Sequence, residues 1–259
     1  MINSLRKDLK NSKLIVIKVG SSSLVDITGK IQTSKIENIA RQISSLSGKQ
    51  VIIVTSGAIA AGSEKLNLLG KLKTVTEKQA AAAIGQNLLM NEYEKAFSKF
   101  GLIVGQVLLT ADAFKNKERH TNSKNAISKI IEFGAIPVIN ENDTVAVDEI
   151  KFGDNDTLSA LVASLMDADL LILLSDVEGY FSKGVLVNAI EKITKEIEAE
   201  AKGSSSKFGT GGMNTKISAA KIAGAAGIPV VIASHKKDDV IISIINGDME
   251  GTLFLPKVK

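Results

Sequence analysis

Two lysines stand in glycine-rich segments where an ammonium group could meet a phosphate. Lys18 interrupts an apolar run and is followed by Gly20 and three serines. A lysine is costly to bury unless its charge meets an anion, and the amides after it can turn toward a phosphate. A lysine that reaches solvent at the end of a strand explains this segment equally well.

The second lysine, Lys216, comes shortly after Gly209–Gly212, which has three glycines in four residues. A helical pattern begins at Met213 and places Asn214, Thr215 and Lys216 in the first turn. Amides at a helix start together with a lysine form a cradle for phosphate. The segment matches neither the P-loop nor the Gly-x-Gly-x-x-Gly pattern. A mobile surface loop is the alternative interpretation of this glycine-rich region.

A third segment, Val54–Gly62, begins as a strand and continues with small residues at helix period, among them Ser56 and Gly57. Small side chains let a ligand approach the backbone, and the start of the helix favours an anion. Close packing of a helix on a sheet requires the same residue types and is the simpler interpretation of this segment alone. A serine nucleophile elbow is not expected, because the glycine that it requires at position 54 is valine.

Asp and Asn residues are concentrated in two further segments. Asn140, Asn142 and Asp143 follow a predicted strand, and Asp154–Asp156 open a predicted helix. Turns and helix caps explain some of them, but six such residues are more than turns require. Their side chains could receive an ammonium group, orient lysines or bind Mg²⁺.

Together these segments suit phosphoryl transfer, which mainly requires positioning and neutralisation of charge. The chain has no cysteine and two histidines, so disulfides, thiolate nucleophiles and cysteine- or histidine-rich metal sites are excluded. A carboxylate acceptor would need no general base, because a carboxylic acid of pKa ~4 is ionised at pH 7. Ser175 and Asp176 follow a very apolar run and could either hold a nucleoside or form a turn.

Apolar, β-branched runs alternate with segments of helical period along the whole chain. Most runs are continuously apolar, which is typical of strands buried on both faces of a parallel sheet. We predict an α/β sandwich with a mostly parallel sheet. The strands are predicted at Leu14–Val19, Val51–Val54, Ile103–Leu109, Ile136–Ile139, Leu170–Leu174 and Val230–Ile232. The helices are predicted at Ser34–Leu46, Glu77–Phe97, Asn122–Phe133, Asp156–Leu165 and Met213–Ala226.

Composition narrows the class of protein. The chain has 259 residues, 44% of them apolar, and a net charge of +4. Only Arg6, Arg41 and Arg119 are arginines and 4% of the residues are aromatic, so a nucleic-acid partner is not expected. No apolar run approaches the ~20 residues of a membrane span, and the first residues do not form a signal peptide. We therefore expect a cytoplasmic protein with one domain over residues 1–259, or two lobes that divide near residue 165.

Four segments carry a resemblance to a known family. KVGSSSL, VTSGAIAAG, PVINENDTVAVDEIKFGDNDTLSAL and GTGGMNTKISAA closely resemble the amino acid kinase family. The resemblance runs from Leu14 to Phe254. The combination of NEND, FGDND and GTGGM resembles the members that phosphorylate the side chain of glutamate in proline biosynthesis. It separates the chain from carbamate, acetylglutamate, aspartate and UMP kinases.

The resemblance implies a three-layer αβα sandwich and transfer of the γ-phosphate of ATP to the glutamate side-chain carboxylate. Mg²⁺ would be carried on the nucleotide phosphates, without a metal site on the protein. Lys18 would neutralise charge between donor and acceptor, and Lys216 would stabilise the transferring phosphoryl group. Asp156 would hold both lysines in place.

The same resemblance implies two binding regions, glutamate in residues 1–165 and ATP in residues 166–259. Glutamate is expected at Ser56, Gly57, Asn140, Asp143 and Asn155, with Asp154 as a further candidate. The nucleotide is expected at Lys18, Gly20, Ser175, Asp176, Thr210, Gly211, Gly212, Met213, Asn214, Thr215 and Lys216. Feedback inhibition by proline through the glutamate site and a homo-oligomer, dimer or tetramer, are also implied.

The chain departs from the family pattern in a few places. Many members continue into a C-terminal PUA domain of roughly one hundred residues, which we do not expect in this chain. Hydroxyl residues are kept where Ser21 and Ser175 replace the usual threonines. The nucleotide loop after Tyr180 is short, and the segment Lys117–Asn122 differs from the common one.

Two alternatives remain open from the sequence. The first is a kinase of the same fold with another small acceptor, which the loops at Asn140–Asp143 and Asp154–Asp156 disfavour. The second is a sensor of nucleotides or amino acids without catalysis. A sensor could keep the glycine loops, but it would not require Lys18, Asp156 and Lys216 together.

Overall fold

The apolar runs form the centre of one β-sheet. In the computed structural model, which describes residues 2–145, 154–202 and 212–256, eight strands pair in the order β3-β4-β2-β1-β5-β9-β10-β8. Neighbours in this sheet are parallel except β9 and β10. Its strands are β1 Leu14–Val19, β2 Gln50–Val54, β3 Ile103–Leu109, β4 Ala135–Glu141, β5 Leu170–Ser175, β8 Ala189–Ile190, β9 Val230–Ser234 and β10 Thr252–Phe254. A separate ribbon pairs β6 Phe181–Ser182 with β7 Val185–Leu186.

Helices cover both faces of the sheet, which confirms the three-layer αβα sandwich. Along β1, Ile15 and Ile17 point into one apolar cluster with α2, α4 and α10, and Val16 points into another with α6, α7 and α9. No helix in the described parts of the chain is long and apolar enough to cross a membrane. The helices are α1 Ile2–Asp8, α2 Thr33–Ser44, α3 Ala58–Lys65, α4 Val75–Ser98, α5 Asp112–Lys115, α6 Lys117–Glu132, α7 Asn155–Leu165, α8 Lys195–Lys202, α9 Met213–Ala225 and α10 Val240–Asn246.

Helices α3 and α4 approach each other through glycine. A Cβ atom on Gly85 would lie 1.8 Å from the carbonyl oxygen of Ala58, and one on Gly62 would lie 1.8 Å from that of Ala81. The α4 helix begins with a capping box, in which the Thr74 side chain and that of Glu77 each accept from the other's backbone N–H. The close approach of the two helices at Gly62 and Gly85 therefore fixes α4 beside the start of α3.

The first helix is tied to the end of the chain by one arginine. Arg6 is fully buried, and its guanidinium donates to the backbone carbonyls of Asn188 at 2.7 Å, Glu250 at 2.6 Å and Gly251 at 2.7 Å. Carbonyl oxygens thus compensate the charge in place of a carboxylate. Burial is the main influence that lowers the pKa of Arg6.

The structure differs from the sequence-based expectations at the sheet edge and at short elements. Strand β3 was expected to be buried on both faces, but it pairs only with β4, and Ile103 is 66% exposed. Helix α6 begins five residues before the predicted Asn122, because the Asn116 side chain accepts from two backbone N–H groups at 3.0 Å. The short elements α1, α5, α8, α10, β6–β8 and β10 were not predicted.

Candidate active site

The predicted motifs meet at one edge of the sheet because the strands that carry them are parallel neighbours. Lys18 on β1 lies beside Val54 of β2 on one side and Leu173 of β5 on the other. Val54 in turn lies beside Ile139 of β4. The carboxyl ends of β4, β2, β1 and β5 therefore lie in a row, which is where ligands bind in open α/β sheets.

A buried ion triad occupies the middle of this edge. The Lys18 Nζ lies 2.6 Å from Asp156 Oδ1, and the Lys216 Nζ lies 3.2 Å from Asp156 Oδ2. The three residues are 7%, 4% and 0% exposed for Lys18, Lys216 and Asp156 respectively. Thr215 Oγ1 donates to the same Oδ2 at 2.7 Å. Two ammonium groups thus share one carboxylate, which leaves the triad with a net positive charge.

Two helix starts bring these groups together. Asp156 is the second residue of α7, whose N-cap Asp154 accepts a hydrogen bond from Thr157 N at 2.8 Å. Lys216 lies in the first turn of α9, which packs against α7. Because both helices begin at the same end of the sheet, their first turns face Lys18 on β1.

Asp156 is ionised despite its burial. Burial is the largest single influence and would raise the pKa of Asp156, but the charges of Lys18 and Lys216 with the hydrogen bonds to the carboxylate outweigh it and lower that pKa to about 2. The neighbouring Asp154 shows the opposite balance, since burial and the charge of Asp156 raise its pKa. Asp156 is therefore an anion at neutral pH, and it pairs with both lysines.

Side-chain amides form a second cluster on the β2–β4 side. Asn155 Nδ2 donates to the backbone oxygen of Thr55 at 2.5 Å, to Ser56 Oγ at 2.9 Å and to Asn140 Oδ1 at 2.9 Å. Asn140 is 3% exposed at the end of β4. Ser56 precedes Gly57, which is the N-cap of α3. Gly57 has a φ of +101°, a conformation that would strain any other residue. Three predicted acceptor residues are thus in direct contact.

Asp143 is the remaining predicted acceptor residue on this side. It lies in the turn that follows β4 and is partly exposed. A carboxylate at the rim, beside the amides, could receive an ammonium group from solvent. The structure thus brings Asp143 to the same edge as Asn140.

The other predicted residues lie on the β1–β5 side. Ser175 ends β5, and its Oγ donates to Asp176 Oδ1 at 3.0 Å. A Cβ atom on Gly20 would lie 3.4 Å from Lys18 Nζ, so this glycine lies directly beside the ammonium group. Gly212 is the N-cap of α9, whose first turn holds Met213, Asn214, Thr215 and Lys216. Thr210 and Gly211 lie outside the described residues.

Two side chains that no motif included also contact this region. Gln86 on α4 accepts from Asn140 Nδ2 at 2.8 Å. Tyr93, on the same helix, shares a hydrogen bond of 2.9 Å with Thr55 Oγ1, and its burial raises the pKa of its hydroxyl. A single Gln or Tyr on a long helix has no sequence signature, so only the packing of α4 reveals them.

The arrangement is suited to holding anionic oxygens between two lysines. It offers no metal site of its own in the described ranges, where no three His, Asp or Glu side chains lie together in a group that could hold an ion. Both oxygens of Asp156 are already taken by lysines and Thr215. A metal in this site would therefore arrive with a ligand.

Comparison with known proteins agrees with this description. The model of the amino acid kinase family matches residues 13–234. A glutamate 5-kinase of Clostridium acetobutylicum is 50% identical over an alignment that covers 100% of both chains. A glutamate 5-kinase of Clostridium tetani is 48% identical, with 95% of this chain and 96% of that protein covered. In Moorella thermoacetica the identity is also 48%, and the alignment covers 97% of this chain and 69% of that glutamate 5-kinase.

Among solved structures, a carbamate kinase of Giardia has a similar fold. The TM-score is 0.67 at 18% identity, and the match covers 95% of this chain and 99% of that one. At this identity the likeness concerns the fold alone. The family match and the full-length relatives go further: the chain belongs to the amino acid kinase family, in which it groups with the glutamate 5-kinases.

Proposed function

We propose that this chain transfers the γ-phosphoryl group of ATP to the side-chain carboxylate of L-glutamate and so produces L-glutamyl 5-phosphate, the first step of proline biosynthesis. The buried triad of Lys18, Asp156 and Lys216 carries the proposal. The 50% identity with a glutamate 5-kinase along the full chain supports glutamate as the acceptor.

The chemistry is a single displacement at phosphorus. An oxygen of the glutamate side-chain carboxylate forms a bond to the γ-phosphorus, while the bond from that phosphorus to the bridging oxygen breaks. ADP leaves with the electron pair. The acceptor, with a pKa of about 4, is already ionised at pH 7. No proton has to move, so the site requires no general base, and positioning and charge neutralisation supply the catalysis.

The triad provides the neutralisation. Lys18 lies on the strand between the two halves of the site and compensates charge between donor and acceptor. Lys216 stabilises the transferring phosphoryl group. Asp156 does not touch the reacting atoms in this scheme: it keeps the two ammonium groups apart and oriented, because each is bound to a different carboxylate oxygen.

The order of the strands supports a division of the binding roles. We assign glutamate to the β2–β4 side, in a lobe over residues 1–165, and ATP to the β1–β5 side. Most of the ATP residues lie in a second lobe over residues 166–259 of the same domain, and Lys18 and Gly20 come from the first lobe. The acceptor residues are Ser56, Gly57, Asn140, Asp143 and Asn155. The nucleotide residues are Lys18, Gly20, Ser175, Asp176 and 210–216. Asp143 would bind the α-ammonium group of glutamate.

Mg²⁺ bound to the ATP phosphates would supply further neutralisation of charge. We assign it to the nucleotide, because the charges at the centre of this site are two ammonium groups held by Asp156. Since ATP is the donor, we place the reaction in the cytoplasm. Exposed apolar side chains along β3, including Ile103 at 66% exposure, support a homo-oligomer, dimer or tetramer.

We also propose feedback inhibition by proline. Proline shares the α-carboxylate and the α-nitrogen of glutamate but has no side-chain carboxylate to phosphorylate. It would therefore occupy the acceptor residues without reacting. Proline is expected to compete with glutamate and to leave the KM for ATP unchanged.

An acceptor screen tests the proposed function. The protein is incubated with ATP, Mg²⁺ and hydroxylamine, which converts acyl phosphates to coloured hydroxamates. We expect colour with L-glutamate and none with L-aspartate or N-acetylglutamate. Release of ADP without hydroxamate would contradict a carboxylate acceptor, and folded protein that binds ATP without turnover would favour a sensor.

A further inference from the structure

Gln86 places an unused hydrogen-bond donor beside the acceptor residues. It lies on α4 and is 8% exposed. Its Oε1 accepts from Asn140 Nδ2 at 2.8 Å. Its Nε2 is buried and has no hydrogen-bond partner among the described residues.

Backbone groups fix the orientation of every amide in this chain of contacts. Glu141 N can only donate, and it donates to Asn140 Oδ1 at 2.9 Å. The carbonyl of Thr55 can only accept, and it accepts from Asn155 Nδ2. Asn140 must therefore turn its Nδ2 toward Gln86. Rotating the Gln86 amide would bring two NH₂ groups together, so its own Nε2 is necessarily the donor that is left over.

The unused donor is held in place at a cost. A buried donor without a partner is unfavourable, because it has given up its hydrogen bonds to water. The α4 helix cannot move toward α3 to give Gln86 Nε2 a partner. The neighbouring Gly85 packs so closely on the carbonyl of Ala58 that a Cβ atom would not fit there. Buried polar groups are nearly always paired in native proteins, so a fixed, unpaired donor beside a binding site indicates a ligand atom.

We propose that Gln86 Nε2 donates a hydrogen bond to the α-carboxylate of the amino-acid acceptor. This inference rests on the proposed function. The other groups of glutamate are accounted for: its side-chain carboxylate must face Lys18 and Lys216 to receive phosphate, and its ammonium group requires a carboxylate such as Asp143. The α-carboxylate remains, and it matches both the amide donor and the start of α3 after Gly57.

Two variants separate this role from support of Asn140. Gln86→Met removes both hydrogen bonds of the amide at similar size. Gln86→Glu keeps an oxygen for Asn140 Nδ2 but replaces the donor by a second oxygen. Both variants should raise the KM for glutamate about tenfold or more, because a hydrogen bond to a charged group is lost. The KM for ATP should stay within about twofold.

Gln42→Met is the matched control. This glutamine is also buried on a helix, but its Oε1 accepts from Ile241 N at 2.8 Å, at the start of α10. We expect it to lower the thermal midpoint and leave both KM values unchanged. KM for glutamate, KM for ATP, kcat and the thermal midpoint are measured for all three variants.

The outcomes distinguish the possible roles. A wild-type KM for glutamate in Gln86→Glu would overturn the proposal and leave only support of Asn140. Equal increases of both KM values would assign a purely structural role and overturn it as well. Failure of the wild-type protein to form glutamyl hydroxamate would instead contradict the proposed function. If the wild-type protein forms glutamyl hydroxamate and both Gln86 variants keep the wild-type KM for glutamate, the result contradicts this inference alone.

Discussion

At the residue scale, the two lysines of the triad depend on a single carboxylate. Each ammonium group contacts a different oxygen of Asp156, and all three side chains are almost completely buried. A buried charge without its partner is strongly unfavourable, so each member determines whether the others stay in place. The triad can therefore orient two cations toward a phosphate without a metal site built from the protein.

Replacing Lys216 by alanine should lower kcat much more than it changes substrate binding. The Lys216 charge is used mainly in the transition state, and loss of one such group reduces kcat by about 10²–10³-fold. We expect the KM for glutamate to stay within about threefold. The hydroxamate assay at varied glutamate concentrations measures both constants.

Lys221→Ala is the control for that experiment. Lys221 lies on the same helix and pairs with Glu198 at 2.7 Å, but its side chain is 52% exposed. Its removal should change kcat little. An unchanged kcat in Lys216→Ala, or equal losses in both variants, would contradict the role given to Lys216.

The depressed pKa of Asp156 predicts how stability depends on pH. The pKa is lowered from 3.8 to about 2 by the two lysines despite burial, so ionised Asp156 stabilises the folded state above pH ~4. That contribution, on the order of 2 kcal/mol, is lost as pH falls from about 4 toward 2. Urea unfolding of the wild type and Asp156→Asn should show a difference that is constant from pH 7 to 5 and shrinks below pH 4. A difference that does not change with pH would contradict the assignment.

At the element scale, the contact between α3 and α4 determines where the acceptor residues lie. Gly85 on α4 meets the backbone of Ala58, the first residue of α3. Gln86 follows immediately and reaches Asn140. A glycine is required at this close approach because no side chain fits between the two helices.

Gly85→Ala is therefore expected to destabilise the protein by more than about 3 kcal/mol or to prevent folding, since its Cβ atom would overlap backbone. Gly224→Ala provides the matched control within α9. A Cβ atom there would lie at ordinary contact distance from neighbouring segments, for example 3.8 Å from Pro256 Cα. The control should be neutral or more stable by up to about 1 kcal/mol. Equal effects in the two variants, measured by urea unfolding, would contradict this explanation.

Secondary structure was predictable where one local cause determined it. Strand β5 coincides with a continuous apolar run and β1 with a run that only Lys18 interrupts, because parallel neighbours and helices cover both of their faces. The run of β3 contains Gly105 and Gln106; it predicted a strand but not its place at the edge of the sheet. The short helix α1 depends on the contacts of Arg6 with the distant segment Asp248–Gly251, which the sequence does not reveal.

At the scale of the whole molecule, the strand order explains why distant motifs form one site. Lys18, Asp156 and Lys216 are separated by 138 and 60 positions, yet β1 and the starts of α7 and α9 lie at the same end of the sheet. Residue type and glycine spacing singled out the two lysines, whereas the role of Asp156 was implied only by the resemblance to the amino acid kinase family. Gln86 was not predictable, because its significance depends on the direction of hydrogen bonds across three elements.

The central claim is that a carboxylate oxygen of glutamate attacks the γ-phosphorus. The most direct test uses glutamate with ¹⁸O in its side-chain carboxylate, together with ATP, Mg²⁺ and hydroxylamine. Hydroxylamine attacks the acyl carbon, so the released phosphate keeps the oxygen that bridged carbon and phosphorus. We predict phosphate with one ¹⁸O atom by mass spectrometry, in an amount equal to the ADP formed. Phosphate without ¹⁸O would show transfer to water and contradict the account.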